Sequence, residues 1–184
     1  MTLARAADSA LVIVDIQDKL APAMAPDARR EVLETVRVLL TAAGELSVPV
    51  VATEQYPKGL GRTLPEVSGH FPDDAAVITK DSFSCCGEQA FTDALAGTGR
   101  EQVVIAGMEA HVCVLQTAVE LLEAGFTPFV VADGVCSRRP EHRANALDRM
   151  RALGVTVTNV ESLLFEWLQR AGTDPFRRLA RLIR

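Results

Sequence analysis

An acid, an amine and a thiol stand at three widely separated points of the chain, each at the end of an apolar run. Asp15 follows "SALVIV", Lys80 follows "AVIT", and Cys113 stands in "AGMEAHVCVLQTA". Together these side chains could form a nucleophilic hydrolase: the carboxylate takes the thiol proton, the ammonium steadies the thiolate, and backbone amides receive charge from a carbonyl under attack. Each has an ordinary alternative as well. Aspartate caps loop amides, lysine packs its stem while its amine reaches water, and cysteine fills core space. Asp81, next to Lys80, can also neutralise it locally. The place of Cys113 near a predicted helix N-terminus, with a cation nearby, predicts a lowered thiol pKa. A thiol of ordinary high pKa that resists labelling outside a cleft would instead favour a non-enzymatic interaction protein.

The elements that must position these residues alternate in type. "SALVIVDIQ", "VPVVAT", "AAVITK", "EQVVIAG", "FTPFVVADG" and "GVTVTNV" read as short buried strands. Helical spacing lies between them, through Val32, Val36, Leu39 and Leu40, then from about His111 to Glu123, then over "RPEHRANALDRMRAL", where Pro140 suits a helix start, with a last helix near Glu161. Such alternation predicts parallel crossover units in a doubly wound α/β sheet covered on both faces. Asp15 and Lys80 then end strands one and three and Cys113 opens the helix after strand four, all at the C-terminal side of the sheet, where open sheets bind ligands. Asp133 reads as the end of strand five, with Ser137 and Arg138 beyond it in support or subunit contact.

Length and composition bound the rest. The chain has 184 residues, 48% hydrophobic, enough for one core, and a single domain over 1–184 is expected. A net charge of −5 gives no broad footprint for nucleic acid. Neither a cleavable leader nor a bilayer-spanning run is read, so a cytoplasmic location and no membrane partner are expected. Cys85, Cys86, Cys113 and Cys136 read as free thiols. The ending "DPFRRLARLIR" predicts a short basic amphipathic helix or tail near 173–184, docked on its own domain or a neighbouring subunit, with an acidic partner or membrane surface as the alternative. The elbow "G-x-S-x-G", a P-loop lysine and a dinucleotide glycine fingerprint are all missing.

In order along the chain, "VIVDIQ", "VITKDSFSCCGE", "AGMEAHVCVLQTAVELLEAGF" and "VVADGVCSRR" resemble the landmarks of the isochorismatase-like hydrolase family, and "TEQYPKGLG" is similar to a metal-independent branch of it. The resemblance implies a three-layer, Rossmann-like, mainly parallel six-stranded sheet with helices on both faces. It implies catalytic roles for Asp15 as base, Lys80 as support of the cysteine, and Cys113 as nucleophile. It also implies a cis peptide at Met108–Glu109 and an oxyanion hole from the amides of Glu109 and Cys113. A homo-oligomer acting on a small-molecule substrate is implied, through hydrolysis of a small amide, carbamoyl or ureido compound or, alternatively, of the vinyl ether of isochorismate.

Neither a metal nor any other cofactor is expected. The segment after strand two contains only His70, and His111 and His142 form no paired-histidine motif. Gln17, Gln55, Tyr56, Phe83 and His111 are candidates for the substrate pocket, with loop anchoring as the alternative for Tyr56. His111 stands two residues before Cys113, but that spacing alone does not make it a base.

Overall fold

The computed structural model describes residues 2–183. Its centre is one six-stranded, all-parallel sheet of β1 (Ser9–Val14), β2 (Val50–Gln55), β3 (Ala76–Lys80), β4 (Gln102–Met108), β5 (Thr127–Cys136) and β6 (Thr156–Thr158), in the order β3-β2-β1-β4-β5-β6. The order reverses between β1 and β4, so the chain leaves these two strands in opposite directions and a crevice opens at their carboxyl ends.

All six residues of β1 are buried, and they alternate between two cores. Leu11 and Ile13 pack toward α1 (Pro26–Leu46), α7 (Val160–Leu168) and α8 (Asp174–Leu179). Val12 and Val14 pack toward α4 (Gln89–Gly97), α5 (Leu115–Glu123) and α6 (Pro140–Leu153). Full burial of an aliphatic side chain of this size stabilises by about 1.5–3 kcal/mol, so the central strand is held from both faces. Two short helices, α2 (Pro57–Leu60) and α3 (Pro65–Ser68), break up the long connection after β2.

The predicted strands and helices all form, with two local differences. β5 does not end at Asp133: it runs on to Cys136, with an irregular register between the Ile105↔Val130 and Gly107↔Val135 pairs. The Asp133 carboxylate turns instead to the start of α7 and accepts the Val160 N–H at 2.9 Å. The helix after β4 opens with a π-helical turn, Ala110–Val114, before α5 begins.

The basic C-terminal segment folds as α8 and packs on its own chain. Thr173 caps it by accepting the Phe176 N–H, Leu179 is buried, Arg178 pairs with Glu45 of α1, and Phe176 and Leu182 lie against the α1 and α7 core.

One glycine is fixed by close approach. Gly107 has φ +131°, and a Cβ there would lie 2.0 Å from the Val14 carbonyl oxygen. A side chain at 107 would push β4 away from β1 where the crevice opens.

Candidate active site

Parallel pairing brings the three distant residues to one end of the sheet. Val14 is in register with both Thr53 and Gly107, and Gln55 with Lys80. Asp15 is therefore the first residue beyond β1, in left-handed backbone at φ 51°, with its N–H donated to the Thr53 carbonyl at 3.2 Å. Lys80 reaches it from the edge strand across β2. Their side chains are fully buried, with Nζ 2.8 Å from Asp15 Oδ2. Cys113 comes from the π turn on the far side of the crevice, 5% exposed, close enough that the charges on Asp15 and Lys80 both act on its thiol.

Within this cluster the hydrogen bonds are divided unevenly. Asp15 Oδ1 accepts the Thr53 hydroxyl at 2.8 Å. Lys80 Nζ donates to Gln55 Oε1 at 2.6 Å, to the Phe83 carbonyl at 3.0 Å and to the Ser82 carbonyl at 3.2 Å. It also stands 2.8 Å from Asp15 Oδ2, so the buried carboxylate and ammonium form a close ion pair. A buried carboxylate beside a thiol is placed to take that thiol's proton.

The electrostatics correct the expectation of a lowered thiol pKa. Burial and the Asp15 charge push the Cys113 thiol up to about 12, and the opposing pull of Lys80 does not offset them. Two features account for the sign: the residue lies inside a buried π turn rather than at the exposed start of a regular helix, and the nearby carboxylate cancels much of the lysine field. Lys80 is itself raised, because the charges of Asp15 and Cys113 outweigh the burial that would lower it. The resting site is thus a thiol facing an ion pair.

Beside the crevice, Glu109 follows a cis peptide bond from Met108. Its buried carboxylate accepts the Arg138 backbone N–H at 2.9 Å and the guanidinium through Nε and Nη2, the latter at 2.6 Å. These bonds hold the Glu109 carboxyl below its usual range although burial pushes it up. Arg138 is thereby a clamp on the segment that leads into the cysteine turn.

The pocket candidates divide into inner and outer groups. Gln17 and Gln55 are buried and bonded within the protein. The Gln17 amide pairs with the Gln55 backbone, accepting its N–H at 2.8 Å and donating to its carbonyl at 3.0 Å, and also donates to the Gly61 carbonyl. Tyr56 and Phe83 are more than half exposed, on the loops after β2 and β3. His111 is half-buried, its Nδ1 2.9 Å from the Ser137 hydroxyl and its ring tilted against His142, with centroids 4.6 Å apart. Burial lowers its pKa, and His142 and Arg138 add to the effect against Glu109.

Thr53, which sequence reasoning passed over, and Cys85, read there as a free thiol, complete the cluster. Thr53 orients Asp15, and Cys85 lies behind it, fully buried, its Sγ 3.7 Å from the Thr53 hydroxyl and its thiol pushed up to about 11 by burial and the Asp15 charge. Since the Thr53 hydroxyl proton goes to Asp15, the Cys85 thiol is the donor in that contact. A polar residue at the end of an otherwise aliphatic strand was the one available signal for Thr53. Among the described residues no group of three His, Cys, Asp or Glu side chains is arranged to hold a metal ion.

The family model described as "Isochorismatase domain" matches residues 9–162 of this chain. The chain belongs to the isochorismatase family. Among curated relatives, "Isochorismatase domain-containing protein 2" of Danio rerio is 35% identical over 175 residues, covering 95% of this chain and 86% of that protein. Among solved structures, the MAR1 ribonuclease of Caenorhabditis elegans is 35% identical with a TM-score of 0.92, covering 99% of this chain and 92% of that one. The YcaC gene product of Escherichia coli, described as an octameric hydrolase of unknown specificity, is 28% identical with a TM-score of 0.91, covering 100% and 90%. YcaC from Pseudomonas aeruginosa, with hexane-2,5-diol and covalent acrylamide, is 27% identical with a TM-score of 0.88, covering 99% and 96%. An isochorismatase-family hydrolase fold thus spans the described chain.

Proposed function

We propose that this isochorismatase-family protein hydrolyses the C–N bond of a small amide, carbamoyl or ureido compound through an acyl-enzyme on Cys113. One observation carries the reading: the Cys113 thiol faces the buried Asp15 carboxylate, beside a lysine, at the switch point of the sheet. In the first half-reaction Sγ bonds to the substrate carbonyl carbon while the thiol proton passes to Asp15. The Glu109 and Cys113 amides receive the oxyanion, which then collapses as the C–N bond breaks and Asp15 protonates the departing nitrogen. Water attacks the thioester with Asp15 again taking a proton, and the carboxylic or carbamic product leaves with the thiol restored.

Because the thiol rests protonated, this route depends on proton transfer to Asp15 within the complex and not on a standing thiolate. The covalent acrylamide in the Pseudomonas aeruginosa structure is an electrophilic amide of the size such a site would accept. The octameric Escherichia coli relative supports a homo-oligomer here. The printed name of the nematode structure raises RNA as a substrate. A net charge of −5 and three candidate side chains only 0–5% exposed fit a small molecule better than a polynucleotide.

The test is incubation with a library of small amides and carbamoyl compounds, with intact-mass detection of adducts and parallel measurement of product. Wild type is expected to show substrate-dependent mass or turnover that the Cys113→Ala variant lacks. The raised thiol also favours a second reading, protonation of a vinyl ether by Asp15 without nucleophilic cysteine. Undiminished release of pyruvate from isochorismate by Cys113→Ala would replace the first reading with the second.

A further inference from the structure

The structure assigns to Cys85 a positioning role: its thiol, docked against the helix that follows Cys113, directs the Thr53 hydroxyl onto Asp15 and so fixes the base relative to the nucleophile. The inference rests on the acyl-enzyme reading above, in whose bond changes Cys85 itself takes no part.

Thr53, Cys85 and Thr117 are fully buried beside an apolar core that includes Val12, Val14, Phe91 and Val114. Polar groups in such a place destabilise the fold unless they are bonded. These three are bonded in series. Thr117 Oγ1 accepts the Cys85 N–H at 2.9 Å, Cys85 Sγ lies 3.7 Å from the Thr53 hydroxyl, and that hydroxyl donates to Asp15 Oδ1 at 2.8 Å. Thr117 stands on α5, about one helical turn beyond Cys113, so the base and the helix of the nucleophile are tied to the same residue. The rest of the loop after β3 is anchored to match. Ser84 donates to Glu120 Oε2 of α5 at 2.6 Å, and the Ser82 and Phe83 carbonyls hold Lys80.

The direction of the series decides what it does. A hydroxyl has one hydrogen to give. Burial keeps Cys85 a thiol, pushed up to about 11, so sulfur supplies a hydrogen to Thr53 Oγ1 and the Thr53 hydrogen is left for Asp15. With Thr53 on Oδ1 and Lys80 Nζ 2.8 Å from Oδ2, both carboxylate oxygens are held and the plane of the base is set. Without the Cys85 thiol the Thr53 hydroxyl is free to turn, and Asp15 keeps its charge while losing its fixed orientation.

The experiment is a double-mutant cycle read in turnover. Wild type, Cys85→Ala, Thr53→Val and the double variant are compared, with Thr53→Ser as the conservative control that keeps the hydroxyl and thermal melts as the folding control. Acetamide and N-carbamoylglycine serve as simple amide and ureido probes. Cys85→Ala is expected to lower kcat about three- to tenfold with KM within about twofold of wild type, as loss of one neutral hydrogen bond that matters to the reacting geometry requires. Thr53→Val should lose at least as much, and Thr53→Ser should stay near wild type. In the Thr53→Val background Cys85→Ala should cost no further turnover, because the hydroxyl through which it acts is gone. A readout that needs no substrate is the S–H stretching band in infrared difference spectra, expected to rise in frequency in Thr53→Val as the thiol loses its acceptor. A Cys85→Ala loss of equal size in both backgrounds, a loss confined to KM, or an S–H band that does not move overturns the positioning role. Wild type that hydrolyses neither probe, alongside an empty adduct screen, removes the acyl-enzyme reading and this inference together. Active wild type that loses turnover in Cys113→Ala but not in Cys85→Ala removes the inference alone.

Discussion

Replacing Lys80 with methionine strands a buried carboxylate without its cation. The two side chains are 0% exposed and 2.8 Å apart, so the stabilisation they share is of the buried kind, not the weak surface kind. Removing one member of such a pair costs about 3–5 kcal/mol, mostly from the charge left behind. For a protein of this length that corresponds to a melting temperature roughly 6–20 °C lower. The same substitution also deprives Gln55, Ser82 and Phe83 of their donor.

That second loss is common to Lys80→Met and to the double variant Asp15→Asn/Lys80→Met, so a double-mutant cycle isolates the charge. Urea denaturation of wild type, both single variants and the double variant is expected to give a coupling of about 2–3 kcal/mol, with the double variant more stable than the sum of the single losses predicts. Asp15→Asn alone should cost less than Lys80→Met, because the ammonium it leaves behind still has three oxygen acceptors. Single effects that add to within about 0.5 kcal/mol would refute the picture of a tightly coupled buried pair.

Three further outcomes follow from the same geometry. Iodoacetamide should label Cys113 near pH 8 roughly 10³-fold more slowly than a free thiol, since a thiol pushed up to about 12 is almost wholly protonated there, and Asp15→Asn should speed labelling because it removes a charge that pushes the thiol up; rapid labelling of wild type, mapped by peptide mass, would contradict the raised thiol. Glu109 is held below its usual range, so its contribution is present above the ordinary carboxylate pKa and lost as pH falls through the depressed folded value. Arg138→Gln should therefore destabilise by about 1 kcal/mol at neutral pH, a modest figure because the arginine is more than half exposed, with the gap to wild type closing in urea melts as pH falls below the ordinary carboxylate range; a gap that is constant with pH counts against the clamp. Gly107→Ala should lower the melting temperature sharply and abolish turnover together, since its Cβ meets the Val14 backbone at 2.0 Å; a variant that melts like wild type would show that the β1 and β4 ends are not held so closely.

The fold was legible because its strands are aliphatic runs and its helices carry a clear period. "LVIV" and "VVIA" need two covered faces, and the alternation of types leaves few topologies besides a parallel doubly wound sheet. Asp15, Lys80 and Cys113 were legible for the same reason: a charged or reactive residue at the end of a buried strand or the start of a buried helix needs a partner.

What could not be read depends on register and distance. Thr53 orients Asp15 only because it pairs with Val14, and Gln55 meets Lys80 only because those two residues are opposite one another. No local pattern encodes either match. The sign of the Cys113 shift was misread because residue types name the competing terms but not their separations, and burial with a nearby carboxylate outweighs a lysine at comparable range. The π turn and the extension of β5 past Asp133 both follow from how the chain accommodates the crevice, which a propensity scale does not contain.

The strand order has a consequence for synthesis. β1 is made first but occupies the middle of the sheet, and one of its edges is closed only by β4, which begins at Gln102. While a ribosome adds the intervening residues, β1, β2 and β3 can assemble as a half-sheet whose open edge is the aliphatic run "SALVIV", a template for pairing with any neighbouring nascent chain. Truncations ending before Gln102 should accordingly aggregate, and yield in a cell should depend on how quickly translation delivers β4 or how well a holdase shields that edge until it arrives.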